Sequence, residues 1–230
     1  MNNLYRIYSK IRRSLKGRGI TNSILLIPRR YLQRFKFRKF DFYGLIETHE
    51  MDGPEEVKLH ATKYEASNPD FFKKMFNNLD WPYQNSTYID FGCGKGISLV
   101  FAFELGFKKV IGVEFAPILA NMALENMEKY SARKSGKVNF EIVNCDASQY
   151  EIPAEADCFY FFNPFDAIIL DQVMQNINKS LEIKPRKILI VYINALHNEV
   201  VEKYQFEKLR FVPVEELDIY YHGGAYVYTN

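Results

Sequence analysis

Two periodicities take turns along the chain from about residue 85 onward. Short, nearly continuous apolar runs bounded by turn residues alternate with longer stretches in which apolar side chains return every three or four positions. The first pattern marks a strand covered on both faces, the second a helix with one buried stripe. Strands are predicted at 88–90, 109–114, 138–143, 157–162 and 187–193. Helices are predicted at 97–105, 116–134, 167–181 and 196–204. The helix at 116–134 turns Leu119, Met122, Ala123, Asn126, Met127 and Tyr130 inward, opens on Pro117 and stops at Ser135-Gly136. The helix at 167–181 buries Leu170, Val173, Met174, Ile177 and Leu181, with Asp166 as N-cap. The tail reads as two antiparallel strands, one ending near Tyr221 and one over 225–228, turning at His222-Gly223-Gly224. Regular strand–helix alternation implies an α/β fold: a mostly parallel sheet with helices on both faces and an antiparallel hairpin at its C-terminal end.

Ahead of residue 85 the pattern changes. Pro54-Glu55-Glu56 marks a helix start, and Asn68-Pro69-Asp70 opens another whose Phe71, Phe72, Met75, Phe76 and Leu79 share one stripe, expected to pack on the sheet. Earlier still, Leu4, Ile7, Tyr8, Ile11 and Leu15 fall at helical spacing among Arg6, Lys10, Arg12 and Arg13, an amphipathic basic helix. Gly17-Arg18-Gly19 breaks it, and a second stretch runs to residue 40 across Pro28. Three parts are therefore expected: a basic helical arm over 1–40, a helical cap or linker over 41–85, and the main domain over 86–230.

Composition sharpens this division. Length 230 and 47% hydrophobic content suit one α/β domain with a short extension. The net charge of +2 conceals twelve Lys or Arg and no acid in residues 1–40, which leaves 18 basic against 28 acidic residues in the remainder. The arm is open to three readings: a lid or packing extension, a surface for anionic lipid, glycan phosphate or nucleic acid, or an organelle transit peptide. Residues 24–27 are too short an apolar run to span a bilayer, so a cytoplasmic protein is expected, with peripheral membrane contact through residues 1–40 as an option. Cys93, Cys145 and Cys158 lack pairing at metal or redox spacing, so no metal site is expected.

The chemistry gathers at Asp90-Phe91-Gly92-Cys93-Gly94-Lys95-Gly96, between the first predicted strand and its helix. Glycines let the backbone approach a ligand closely, and the helix start points amides at it. A dinucleotide fingerprint needs its third glycine at position 97, where this chain has Ile97, and Lys95 lacks the spacing and the following Ser or Thr of a P-loop. A nicotinamide oxidoreductase and a nucleotide triphosphatase are thereby disfavoured.

The spacing Asp-x-Gly-x-Gly-x-Gly resembles motif I of the class I S-adenosylmethionine-dependent methyltransferases, and the resemblance extends over about residues 85–230. It implies the Rossmann-like seven-stranded methyltransferase sheet, S-adenosylmethionine as cofactor, and transfer of a methyl group to an amine or hydroxyl. It further implies that Gly92, Gly94 and Gly96 pass beneath the methionine part and that Asp90 anchors the loop and the ammonium end. Glu114 would take the ribose hydroxyls. Asp146 and the Ala147 amide would meet the adenine, although Asp146 by itself also reads as a turn cap. Asn163-Pro164-Phe165 resembles the Asn-Pro-Pro-Tyr/Phe motif of amino methyltransferases, with the second Pro missing. It implies Asn163 as the acceptor-orienting residue, Pro164 as carbonyl acceptor and Phe165 as pocket wall. Ile111-Gly112-Val113-Glu114 followed by this loop is similar in scaffold to the non-SET histone-lysine methyltransferases. The combined strings resemble a group of bacterial methyltransferases whose substrate the likeness does not supply.

A base is needed only if the acceptor must lose a proton. His60 and Tyr64, ahead of the first strand, and His222 at the tail are candidates, with structural roles the stronger reading for each; His49 and His197 have weaker claims. The acceptor is open among small molecules, glycans and proteins. Nucleic acid ranks low, because no aromatic–basic interleaving occurs outside the arm. The competing class is a non-catalytic scaffold attached to a membrane surface or anionic polymer by the arm.

Overall fold

The computed structural model describes residues 35–134, 136–214 and 221–230. The predicted helices within residues 1–34, Ser135 as a helix stop, and residues 215–220, which lead into the strand end expected near Tyr221, lie outside these residues.

Seven strands form one sheet: β1 (Thr87–Phe91), β2 (Lys109–Glu114), β3 (Phe140–Asn144), β4 (Ala156–Phe162), β5 (Leu189–Ile193), β6 (Glu207–Val212) and β7 (Ala225–Thr229). Their order is β3-β2-β1-β4-β5-β7-β6. The first five pair in parallel and β7 runs antiparallel to both β5 and β6. The chain leaves β1 toward β2 and β3 on one side and returns to β4 on the other, so the switch in strand order falls between β1 and β4, where an open α/β sheet leaves a crevice at its carboxyl edge. Apart from a single turn at Glu55–Lys58, where Pro54-Glu55-Glu56 predicted a helix start, the described α-helices are α1 (Pro69–Phe76), α2 (Ile97–Leu105), α3 (Pro117–Ser131), α4 (Ala167–Ile183) and the short α5 (Asn198–Glu202).

Alternation along the central strands divides the core in two. Tyr88, Val110, Tyr160 and Val191 join α1 and α2 on one face, while Ile89, Phe91, Ile111, Phe159 and Phe161 join α4 on the other. Phe71, Phe72, Met75 and Phe76 of α1 are all buried, the stripe that the spacing predicts, and Asn68 caps the helix by accepting from the Asp70 amide at 2.9 Å. Phe37 and Phe42 enter the same core, Phe37 meeting Phe101 of α2 edge-on with ring centroids 6.2 Å apart.

Two expectations need correction. β3 starts at Phe140 rather than 138, because Val138 is buried as loop and its amide is bonded to the Ser131 hydroxyl at the end of α3. The strand before the tail glycines is β6, which ends at Val212, so His222-Gly223-Gly224 is not a tight hairpin turn. A Cβ on Gly223 would lie 2.6 Å from the Ala195 carbonyl carbon. Asn194 Oδ1 accepts from the amides of His222 and Gly223, and the Ala195 amide donates to Gly224. The glycine pair thus lets the chain press on the turn after β5.

Candidate functional site

Every acidic or amide residue singled out at a strand end lies on the carboxyl edge of the sheet. Asp90, Gly92, Glu114, Asp146, Ala147, Asn163, Pro164 and Phe165 line one cavity. Gly94 and Gly96 complete the turn behind it.

The turn is built by β1 and β2 together. The amides of Gly92 and Cys93 donate to the Val113 carbonyl at 2.8 and 3.1 Å, and the Gly94 amide donates to Glu114 Oε2 at 2.8 Å. Glu114 Oε1 accepts from the Ala116 amide at 3.0 Å. All three glycines hold positive φ, from +54° at Gly94 to +84° at Gly96, so any L side chain would be strained there. Space matters as well as torsion. A Cβ on Gly94 would enter the Tyr64 ring, and a Cβ on Gly92 would lie 2.5 Å from Pro164 Cβ.

Asp90 and Glu114 are buried, 3% and 4% exposed, and no cation among the described residues pairs with either. Asp90 accepts from the Ser98 hydroxyl of α2. Burial pushes its carboxyl up to about 8 against that hydrogen bond, and pushes Glu114 up to about 7 against its backbone amides. Once ionised, a carboxylate has room for about four hydrogen bonds, so each group has acceptor capacity beyond the bonds described. A ligand carrying a diol and an ammonium supplies the missing donors. The residues therefore fit S-adenosylmethionine.

Asp146 is half-buried and caps the short turn Ala147–Gln149, its Oδ1 accepting from the Ser148 amide at 2.9 Å. The capping alternative for Asp146 is therefore realised, and its second oxygen remains for a ligand. Ala147 is buried at the start of that turn, where an amide has no helical partner.

At the far end, Asn163 adopts φ +42°, a conformation Asn tolerates better than other side chains. Its Oδ1 lies 3.4 Å from the Tyr192 hydroxyl of β5. The Pro164 carbonyl accepts from the Thr62 amide at 3.0 Å, and the Asn163 carbonyl from the Thr62 hydroxyl at 2.6 Å. Phe165 packs edge-on against Phe161, centroids 6.2 Å apart, and bridges Ala61 in antiparallel register. These partners come from a strap ahead of β1, in the segment expected as a cap, which carries the candidates His60 and Tyr64. Leu45–Ile46 pairs with Tyr64–Glu65, and Tyr64 lies over Gly94 with its hydroxyl donating to the Phe42 carbonyl. Lys95, buried beside that ring, reaches Asp41 at 2.9 Å.

The strand order, the glycine turn at its centre and the acids at the following strand ends define a class I S-adenosylmethionine-dependent methyltransferase. Residues 75–216, more than half of the chain, match the model of the ribosomal protein L11 methyltransferase (PrmA) family, and the chain belongs to that family. A curated ribosomal protein L11 methyltransferase from Colwellia psychrerythraea is 46% identical over 46 residues, 20% of this chain and 16% of that protein. The alignable part of this chain thus spans a small fraction of that relative's length. Among solved structures, a methylase from Haemophilus influenzae superposes with TM-score 0.51 at 17% identity, covering 69% of this chain and 86% of that one. The StiE O-MT structure of residues 961–1257 gives 0.50 at 14% identity, covering 70% and 71%. Both likenesses speak to the fold. The scaffold alternative gains no support from these relatives. No described helix is long and apolar enough to cross a membrane.

Proposed function

We propose that the protein transfers a methyl group from S-adenosylmethionine to an acceptor that enters beside Asn163-Pro164-Phe165. The observation that carries this reading is the Gly94 amide on the buried Glu114 carboxylate, which fixes the glycine turn against an acid with spare acceptor capacity. When bound, the cofactor supplies a methyl group already activated by the sulfonium charge. The chain's own part is alignment. Asp90, Gly92 and Gly94 would hold the methionine end, Glu114 the ribose, and Asp146 with the Ala147 amide the adenine. Pro164 packs on Gly92, which puts the acceptor loop in contact with the donor loop and sets their separation.

The acceptor is not carried over from the family. The matched region begins at residue 75, whereas the strap that walls the acceptor side lies at residues 57–65. Ribosomal protein L11 is therefore one candidate among protein, glycan and small-molecule acceptors. The basic arm supports a peripheral anionic contact only through its twelve Lys and Arg. Calorimetric titration with S-adenosylhomocysteine tests the cofactor half, and no binding at millimolar ligand defeats the proposal. Mass-spectrometric search for a +14 Da product in cell extract incubated with protein and S-adenosylmethionine tests the transfer.

A further inference from the structure

One of the four histidines is held in a geometry that packing alone does not require. His60 Nδ1 lies 2.7 Å from Asp166 Oδ2. A carboxylate can only accept, so when the imidazole is neutral its proton sits on Nδ1 and its lone pair on Nε2. Among the described residues Nε2 has no hydrogen-bond partner, and His60 lines the same cavity as Asn163 and Phe165.

Asp166 is fixed in turn. Its Oδ1 caps α4 by accepting from the amides of Ile168 and Ile169 at 3.0 and 3.2 Å, which leaves Oδ2 for the histidine. Burial pushes its carboxyl up, but the hydrogen bond from His60 and those from the helix amides outweigh this and hold it below the usual carboxylate range. The backbones are also joined, the Asp166 amide donating to the His60 carbonyl at 2.9 Å. Base and orienting carboxylate therefore travel with the acceptor loop as one unit.

The same strap braces the acceptor loop. Thr62 takes one lone pair on each of the carbonyls of Asn163 and Pro164 and leaves the other, so an amine and a hydroxyl acceptor are both accommodated. Resting on the methyltransferase reading, we infer that His60 Nε2 takes the acceptor's proton and that Asp166 is the positioning residue. The acceptor atom, oxygen or nitrogen, bonds to the methyl carbon as the carbon–sulfur bond breaks and its electron pair returns to sulfur. The acceptor's proton passes to Nε2, and the imidazolium beside Asp166 later releases it to solvent. His60 has a side chain 34% exposed, which gives that proton an exit.

Asp166 is the charged group in contact with His60. Lys58 and Lys63 share its strap, and Asp90, Glu114 and Asp146 lie on the cavity's other strand ends. Long-range ¹H–¹⁵N NMR on the full chain reads the tautomer, with His60→Gln assigning the signal. The Nδ1–H form is expected, and Asp166→Asn, which preserves the cap, should weaken that tautomer preference. Label transfer from S-adenosylmethionine into species of cell extract should fall about 100-fold in His60→Gln. The wild-type rate should rise with pH and level off at the His60 pKa measured by NMR, and the plateau should vanish in the variant. S-adenosylhomocysteine affinity should stay within about twofold. An Nε2–H tautomer or a His60→Gln rate within about threefold of wild type overturns the inference. Where an extract yields no labelled product, the tautomer and its weakening in Asp166→Asn decide it. Wild-type protein that fails to bind S-adenosylhomocysteine instead overturns the methyltransferase reading.

Discussion

At the glycine-turn end of the cleft, the partners of Gly92, Cys93 and Gly94 are Val113 and Glu114, on the adjacent strand and twenty positions away in the case of Gly94 and Glu114. At the Asn-Pro-Phe end, the partners of Asn163, Pro164 and Asp166 are Thr62 and His60, more than a hundred positions earlier. The first end is completed by a strand–turn–helix unit and its neighbour, so its geometry follows wherever that unit folds. The second is completed only when a strap from outside the sheet lies down across it. The family match, which starts at residue 75, includes the first end whole and omits the strap of the second. One end of the cleft is thus completed by local pattern, while the other depends on one distant segment.

The largest effect should come from Gly94→Val, which strikes where the two ends touch. The new side chain meets the Tyr64 ring at a φ of +54°. Overpacking and left-handed strain together cost about 3 kcal/mol. Chemical denaturation should show that loss, and calorimetry should show S-adenosylhomocysteine binding reduced more than about 100-fold. Adding Tyr64→Ala should recover part of the stability; no recovery would mean that the strap does not rest on the turn.

Asn163→Ala should divide the ends cleanly. Methyl incorporation into extract should fall about 100-fold while S-adenosylhomocysteine affinity stays nearly unchanged. Unchanged incorporation would remove Asn163 from the transfer.

Glu114→Gln tests the turn end alone, with an expected loss of about 10- to 30-fold in S-adenosylhomocysteine affinity. Its pH signature is specific. Burial raises the Glu114 carboxyl to about 7, and ribose hydroxyls favour the ionised form, so binding releases a proton. Affinity should therefore rise with pH up to about 7 and level off above it, and Gln should abolish that slope. The stability of the ligand-free protein runs the opposite way. A raised carboxyl contributes fully below its unfolded pKa near 4.5, and the contribution is lost as pH climbs through about 7 for Glu114 and about 8 for Asp90. The thermal midpoint should decline across that window, and Asp90→Asn with Glu114→Gln should flatten it.

Thr62→Val should have the smallest effect, since it removes the hydroxyl bonded to the Asn163 carbonyl and leaves the amide on Pro164. A cost of about 1 kcal/mol is expected, with faster hydrogen exchange in residues 61–65 and no change at the glycine turn. Equal acceleration at both ends would show that they open as one unit and would end the comparison.

Local pattern was enough for much of this fold. The five parallel strands, four of the sheet-covering helices and the glycine turn each follow from residues close in sequence, since period and turn chemistry act over short range. Asp166 as the cap of α4 was legible for the same reason, as were the buried positions of α1. The tail was not. Its glycines signalled a hairpin turn, but their positions are set by close approach to Ala195, a contact no local pattern records. Arg210 on β6 likewise donates to the carbonyls of Met75 and Asn77 at the end of α1, a capping role visible only when strand and helix are side by side.

By itself, the sequence determined the α/β class, the order of its elements and the residues at the strand ends, because apolar period and glycine spacing act within a few positions of one another. The tertiary structure decided which of those residues share a cavity. Burial of Asp90 and Glu114 away from any described cation raised their proton affinity, and a strap a hundred positions upstream supplied His60 to Asp166. Proton affinities and long-range pairings depend on what lies nearby in space, and that neighbourhood exists only once the sheet, its helices and the strap have packed.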